Sequence, residues 1–280
     1  MAIVTIGAEG KVQLSKDFAF RQFFNSSDVG PTTTFTDLFN DWDDKVKAVA
    51  PEIASGALSN AHGDWYEWLL AIASWNAFQR NRSNHIAVLL PNVTRLNIAT
   101  LYTDELARFI HDLRAKVLAS STVEFISSNP DFVIIDTQLA RPLITSREPI
   151  THIGPDTLNM LGTAYRVFES KCSFESIVGY LSVKNSLRPD RRLQMAHEGS
   201  LMKALYVHLQ TRQWITDPKG IKYYAMSTKV GAPDIAALNT VATHSITTVQ
   251  SKPQPAVDKV FQVNSLEQAE LAFDEILSAV

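Results

Sequence analysis

The sequence is poor in cysteine, in long apolar runs and in excess charge of either sign. Its single cysteine, Cys172, cannot form an internal disulfide bond, which suits a reducing compartment. No stretch approaches the roughly 20 apolar residues of a membrane span, and the opening MAIVTIGAEGKVQL lacks the basic and apolar regions of a secretory signal. We therefore expect a cytoplasmic protein with no membrane partner.

The common nucleotide and zinc motifs are also missing. The chain has no P-loop, no GxGxxG, no HExxH and no Cys/His spacing of a zinc site. An ATP-driven enzyme, a nucleotide-cofactor enzyme and a histidine-ligated metal site are therefore not expected. A net charge of -3 and a pI near 6.2 argue against nucleic-acid binding over the whole surface, but they leave room for one local basic groove.

The residues that are present indicate an ordinary folded protein, with 45% hydrophobic and 20% charged residues. The chain has no internal repeat and no long linker, so we expect one integrated domain: a peripheral N-terminal helical subdomain at 1–60 and a core at 61–280. Hydrophobic periodicity predicts helices at 35–50, 63–80, 101–120, 156–171, 189–212 and 265–280, and strands at 85–91, 131–136, 176–184, 221–228 and 242–249. This pattern is typical of the α/β class, with a mixed central β-sheet flanked by helices.

Charge is concentrated in one short segment, SVKNSLRPDRRLQMAHEG at 182–199. Alternation along the strand before it places Ser182 and Lys184 on one face, near the strand's end. Asp131 lies at the mouth of another apolar strand, after a proline. Alone, Lys184 would be a strand-end lysine that reaches water, and Asp131 would be a turn residue. Together they are candidates for chemistry.

Two acids are predicted on buried helix faces. Glu198 falls within the core stripe of the helix at 189–212, and Glu67 is the only charged residue in the middle of an apolar helix. The predicted stripe consists of Leu193, His197, Leu201, Ala204, Leu205, His208 and Leu209. A buried carboxylate is costly unless it is paired or bound to a metal. Carboxylates that converge with a lysine are typical of a Mg²⁺ site, although each could instead be a satisfied core carboxylate.

The motif formed by these residues resembles that of a known superfamily. Asp131 in NPD, and Lys184 fifty-three positions later, resemble the PD…(D/E)xK nucleases, which include many type II restriction endonucleases. The acid that usually stands two positions before the lysine is Ser182 here. The branch that cuts around CCGG has this SxK form and supplies the acid from the following helix, where Glu198 lies.

Longer blocks extend the resemblance to the tetrameric enzymes that recognise 5'-RCCGGY. They are GDWYEWL, SNPDF, SVKNSLRPDRRLQMAHEGSLMKALYVHLQTRQW and ATHSI. The similarity is clear from about residue 56 to residue 264 and weak at both ends. The long central block makes it a specific signal.

The resemblance implies a restriction-endonuclease-like core and Mg²⁺-dependent hydrolysis of double-stranded DNA. Asp131 and Glu198 would hold Mg²⁺, Lys184 would position or help deprotonate the attacking water, and Glu67 would complete the acidic pocket. Ser182 would stand in this catalytic set where the wider superfamily has an acid. Cleavage after the R of 5'-RCCGGY-3' would leave 5'-phosphates on four-nucleotide 5' overhangs.

The resemblance also implies that the segment RPDRR, residues 188–192, reads bases. Arg188 and Arg191 resemble the base-reading arginines of these enzymes, and Asp190 resembles the acid between them. Guanine offers O6 and N7 to a bidentate arginine, and cytosine offers its N4 amine to a carboxylate. CCGG contains two guanines on each strand, so a symmetric dimer with two reading arginines per subunit can assign one to each guanine. A palindrome is met by identical subunits.

The resemblance further implies a homodimer that pairs into a homotetramer, with Trp214 at the contact between dimers. Asn60 is a candidate for contact with a flanking base or the DNA backbone. The alternatives are that Trp214 belongs to the core and that Asn60 is a turn or N-cap residue. For the whole protein, the rivals are a non-catalytic sequence-specific DNA-binding protein on the same fold and a structure-directed repair nuclease.

Overall fold

The structure is a computed structural model, and it describes residues 2–7, 11–27, 29–80, 84–91, 94, 96–120, 129–146, 148–247 and 252–278. Within these ranges, no helix is long and apolar enough to cross a membrane. Nearly all of their buried apolar side chains belong to one core.

A mixed sheet of five strands lies at the centre of the fold, as predicted. A small hairpin, β1 (Val4–Ile6) and β2 (Val12–Leu14), precedes the central strands β3 (His85–Leu89), β4 (Phe132–Asp136), β5 (Ile177–Lys184), β6 (Lys222–Ser227) and β7 (Lys259–Gln262). The spatial order follows the chain order from β3 to β7. The strands β3, β4 and β5 pair antiparallel, whereas β5, β6 and β7 pair parallel.

Helices flank the sheet, which confirms the predicted class. They are α1 (Lys16–Ser26), α2 (Phe35–Val49), α3 (Ser55–Gln79), α4 (Asp104–Ser120), α5 (Thr137–Leu143), α6 (Thr157–Thr163), α7 (Pro189–Arg212), α8 (Ala232–Leu238) and α9 (Leu266–Ser278), with 3₁₀ helices at Ile98–Leu101, Ala164–Phe168 and Thr243–Ile246. Helix α3, apolar nearly all round, packs on β3 and α9, and α7 packs on β5 and β6.

The aromatic side chains of α1 and α2 pack against α3. The ring of Phe20 meets Trp42 edge-on at 5.6 Å between centroids, and Trp42 meets Trp65 at 5.2 Å. Such edge contacts are the favoured aromatic geometry. The boundary proposed at residue 60 falls inside α3, and the division into 1–60 and 61–280 stays a prediction.

The strand directions bring the two ends of the sequence motif together. Because β4 and β5 are antiparallel and Phe132 pairs with Leu181, the beginning of β4 and the end of β5 lie at one edge of the sheet. Asp131 immediately precedes β4, and its carbonyl accepts a hydrogen bond from the Leu90 amide at 2.8 Å. The parallel strand β6 ends at the same edge as β5.

The predicted strand at 242–249 is wrong. Thr243–Ile246 is a 3₁₀ helix, and residues 248 and 249 lie outside the described residues. The hydroxyl of Ser245 donates to the carbonyl of Ala242 at 2.7 Å, and such local bonds compete with strand pairing. The fifth strand is β7, which the sequence analysis missed because it is short.

Two helix predictions also need correction. The helix expected at 156–171 is divided into α6 and the 3₁₀ helix Ala164–Phe168. In α7 the bounds agree with the prediction, but Leu193 is 74% exposed and His197 is exposed too. The first six residues of α7 contain no buried side chain, and its core contacts begin at Met195. The predicted stripe assumed that the whole helix packs on the sheet.

Candidate active site

Asp131 and Lys184 form the centre of the candidate site. The Lys184 Nζ lies 2.9 Å from Oδ2 and 3.2 Å from Oδ1 of Asp131. The backbone amide of Val183 also donates to Asp131 Oδ2, at 2.6 Å. Asn129 holds the preceding turn, since its Nδ2 donates to the carbonyls of Leu96 and Pro91. The aspartate is therefore fixed from its own turn and from the neighbouring strand.

Ser182 lies between Asp131 and Glu198, the two predicted metal ligands. Its buried Oγ is 3.0 Å from Asp131 Oδ2 and 3.3 Å from Glu198 Oε2. A hydroxyl has one proton, so it can donate to one of these oxygens at a time. The contacts place both carboxylates within reach of one small side chain.

Glu198 is 2% exposed, so the prediction of its burial is confirmed. Tyr223, fully buried on β6, donates its hydroxyl to Glu198 Oε2 at 2.9 Å. Gln194, one turn earlier on α7, donates to Oε1 at 3.3 Å. These donors supply partners that a buried carboxylate needs. The burial of Tyr223 itself, followed by the charge of Glu198, raises the pKa of the tyrosine hydroxyl well above its ordinary value.

Glu67 adds a third carboxyl group, from α3. Burial, followed by the charge of Asp131, raises the pKa of Glu67 from 4.5 to about 8. For Lys184, burial acts to lower the pKa, but the charges of Asp131, Glu67 and Glu198 outweigh it and the pKa is raised. At neutral pH Glu67 therefore keeps its proton and Lys184 keeps its charge.

One cleft of about 660 Å³ is lined by the three acids and the lysine: Glu67, Asp131, Glu198 and Lys184. Among the described residues, no group of three His, Cys, Asp or Glu side chains is close enough to hold a metal ion. Asp131 and Glu198, joined through Ser182, instead offer two oxygen donors. This donor set fits Mg²⁺, which binds through one or two carboxylates and keeps several waters.

The residues expected to read bases lie in an adjoining groove of about 600 Å³. Lys184 lines it together with Arg188 and Arg191, so the groove and the cleft share a wall. The Asp190 Oδ2 is 3.4 Å from Arg188 Nη2 and 3.8 Å from Arg191 Nε. The side chains of the two arginines are 65% and 41% exposed, and they lie at the beginning of α7, with Arg188 as its N-cap.

The structure excludes the turn, N-cap and core interpretations of Asn60 and Trp214, and their functional roles stay predictions. Asn60 is neither a turn residue nor an N-cap, because α3 begins at Ser55, and its side chain lines the groove. Trp214 is not a core residue, since it is 89% exposed just beyond α7. Its φ of 56° is in the left-handed region, which few residues other than glycine adopt.

Four residues of the cleft region were missed in the sequence. Lys16 and Asp64, both in the cleft wall, form an ion pair at 2.6 Å across 48 positions of chain, and no local pattern indicates it. Tyr223 is one of several apolar or aromatic residues on β6, and nothing in the sequence distinguishes it as the partner of Glu198. Gln194 could have been found, because it stands four residues before Glu198 on a predicted helix and such pairs are neighbours.

Comparison with known proteins identifies a restriction endonuclease family. A model described as Cfr10I/Bse634I restriction endonuclease matches residues 2–279. The chain is 40% identical, over 287 aligned positions and the full length of both proteins, to the type II restriction enzyme Cfr10I of Citrobacter freundii.

Two solved structures of Bse634I are similar to this fold. The structure of this type IIF restriction endonuclease with cognate DNA has a TM-score of 0.88 and 32% identity, over 99% of this chain and 98% of that one. A second Bse634I structure has a TM-score of 0.86 and 32% identity, over 99% and 97%. Both agree with a mixed sheet flanked by helices.

The raised pKa of Glu67 predicts a pH-dependent cost in stability. The folded protein keeps this proton up to about pH 8, whereas the unfolded chain releases it above about 4.5. The stability that protonated Glu67 contributes is therefore lost as pH rises through that window, at no more than about 1.4 kcal/mol per pH unit. Glu67→Gln lacks this proton release, so its free energy of unfolding should rise relative to that of the native protein between pH 5 and 8. Urea unfolding in EDTA measures both. The exposed Glu105→Gln is the control, and parallel pH curves for native protein and Glu67→Gln would contradict the assignment.

Proposed function

We propose, for a chain that belongs to the Cfr10I/Bse634I restriction endonuclease family, that it cuts double-stranded DNA at the palindrome 5'-RCCGGY-3'. Cleavage after the R would give 5'-phosphate ends with four-nucleotide 5' overhangs. Membership makes the protein a type II restriction endonuclease; the target, the cofactor and the residue roles are the proposal. Bse634I has been solved with cognate DNA, which supports DNA as the partner.

The observation that carries the proposal is the hydrogen-bonded cluster of Asp131, Ser182, Lys184 and Glu198. Two acids and a lysine from three different elements meet in one cleft. A protein that only bound DNA would not need buried acids beside the phosphates, because they repel the phosphate charge and cost desolvation. The cluster therefore favours hydrolysis over the non-catalytic alternative.

Asp131 and Glu198 would hold Mg²⁺, in a family of enzymes that generally depend on a divalent metal. A Mg²⁺ ion bound there would supply positive charge to the scissile phosphate, to the attacking water and to the leaving oxygen. The Ser182 hydroxyl lies 3.0 Å from the Asp131 carboxylate and 3.3 Å from the Glu198 carboxylate, so it can donate to either one. Glu67, neutral at pH 7, adds a carboxyl group to the pocket without adding a full negative charge.

Lys184 acts through its charge. A lysine with a raised pKa keeps its proton at neutral pH, so its ammonium can donate hydrogen bonds but cannot accept a proton from water. Between the two roles considered for Lys184, this favours positioning of the water and the phosphate over deprotonation. Asp131 fixes the ammonium with two contacts of 2.9 and 3.2 Å.

Arg188 and Arg191 would read the guanines, with Asp190 accepting from cytosine. In the absence of DNA the acid lies between the two guanidinium groups and holds them side by side. Such pre-arrangement lowers the entropy lost on binding. Asn60, which lines the same groove from α3, would contact a flanking base or the backbone.

Assembly of two dimers into a tetramer would use Trp214. Tryptophan is enriched at protein interfaces and among their hot spots, and Trp214 is 89% exposed. Two residues before Trp214, Arg212 donates to Asp112 at 2.6 Å and its guanidinium lies over the Phe109 ring at 4.6 Å. These contacts hold the end of α7, which carries Trp214, against α4.

Asp131→Asn tests the catalytic assignment. We expect cleavage of plasmid DNA in Mg²⁺ to fall by at least about 100-fold, because a metal ligand loses its charge, while binding to a CCGG duplex persists. Gel-shift and cleavage assays on the same preparation separate the two effects. Asp136→Asn, at the other end of β4, is the matched control and should cut normally. Cutting by Asp131→Asn at the native rate would refute the proposal.

Arg188→Ala tests base reading. Losing one bidentate contact per subunit should cost about 1–3 kcal/mol of discrimination for each affected guanine. The ratio of affinities for RCCGGY and for a duplex altered at one guanine should narrow accordingly. Arg108→Ala, an exposed arginine on α4, provides the control. An unchanged ratio for Arg188→Ala would remove this residue from the reading set.

Trp214→Ala tests the assembly. Light scattering should report a shift from tetramer towards dimer, since the exposed ring would no longer be buried between dimers. Leu271→Ala removes another exposed apolar side chain, on α9, and should leave the mass unchanged. If Trp214→Ala has the same mass as the native protein, the contact lies elsewhere.

A further inference from the structure

The carboxylate of Glu198 is held differently at its two oxygens. Tyr223 and Ser182, both fully buried, lie against Oε2 at 2.9 and 3.3 Å. Oε1 instead accepts from the side-chain amide of Gln194, which lines the cleft. The core side of the carboxylate is therefore fixed by residues that cannot move easily, and the cleft side is approached by an exposed one.

Gln194 also contacts a residue that is expected to read DNA. Arg191 Nη1 donates to Gln194 Oε1 at 3.2 Å, while Gln194 Nε2 donates to Glu198 Oε1. The three residues stand three and four positions apart on α7, so their side chains lie along one face. One glutamine thus joins a candidate base-reading arginine to a candidate metal ligand.

We propose that Gln194 couples recognition of the site to metal binding. Without DNA, its amide occupies the cleft-side oxygen of Glu198 and competes with the metal. When Arg191 turns to the O6 and N7 of a guanine, it gives up its bond to Gln194, and the glutamine loses the contact that orients it towards Glu198. Cognate DNA thereby opens the metal site, whereas a wrong base leaves Arg191 and Gln194 joined.

This inference rests on the proposed function, because it needs Glu198 as a metal ligand and Arg191 as a reader. It makes Gln194 a positioning residue, since the side chain acts through Glu198. Removal of the amide should strengthen metal binding in the absence of DNA. A residue that merely held Glu198 in place would give the opposite result, because its removal would weaken metal binding.

Gln194→Met tests the coupling, because methionine keeps the length of the side chain and removes both hydrogen bonds. Mn²⁺ titrations without DNA, followed by electron paramagnetic resonance of free Mn²⁺, should show roughly 2- to 10-fold tighter binding, as expected for one net hydrogen bond. The ratio of kcat/KM for RCCGGY and for a duplex altered at one guanine should fall by a similar factor. The ratio of affinities for the two duplexes in EDTA should stay unchanged.

Gln138→Met makes the same change at an exposed position on α5 and should match the native protein in all three measurements. Weaker or unchanged Mn²⁺ binding by Gln194→Met would overturn the inference, and so would unchanged discrimination in cleavage. Glu198→Gln and Arg191→Ala distinguish a failure of the coupling through Gln194 from a failure of the proposed function. If Glu198→Gln binds Mn²⁺ normally or Arg191→Ala discriminates normally, the proposed function itself fails.

Discussion

The pairing of Asp131 with Lys184 is the interaction on which the site depends. It exists because β4 and β5 run antiparallel, so that the residue before one strand meets the last residue of the other. The negative charge of Asp131 also raises the pKa of Lys184, and it adds to burial, the larger cause, in raising the pKa of Glu67. The register of the two strands thus contributes to the charge of the cleft at neutral pH.

The position of the second acid links the two parts of the proposed site. With Ser182 on the strand, the carboxylate comes from Glu198 on α7, the helix that begins beside the arginines proposed to read bases. Under the proposed function, a single helix therefore carries groups for chemistry and groups for recognition. A helix transmits small shifts along its length as a rigid body, and hydrogen bonds between successive turns connect the two sets.

Much of this could be predicted from the sequence. The mixed sheet, the bounds of α7 and the burial of Glu198 follow from hydrophobic periodicity, and the desolvation cost of a buried carboxylate predicts that Glu198 has partners. The exposure of Leu193 could not, because it depends on how far α7 extends past the sheet edge. The pairing of Lys16 with Asp64 and the bond from Tyr223 to Glu198 also depend on tertiary packing, for which a single sequence has no signal. The 3₁₀ helix Thr243–Ile246 shows a serine hydroxyl overriding strand propensity.

The central claim is that one cleft cuts DNA while the adjoining arginines select a CCGG core. Sequencing the ends of plasmid DNA after incubation with the protein and Mg²⁺ tests it most directly, because the ends report the target and the cut position together. The account predicts that every end derives from 5'-RCCGGY-3', cut after the R, with a four-nucleotide 5' overhang. Ends scattered over unrelated sequences, or tight binding to this site with no cut, would contradict it.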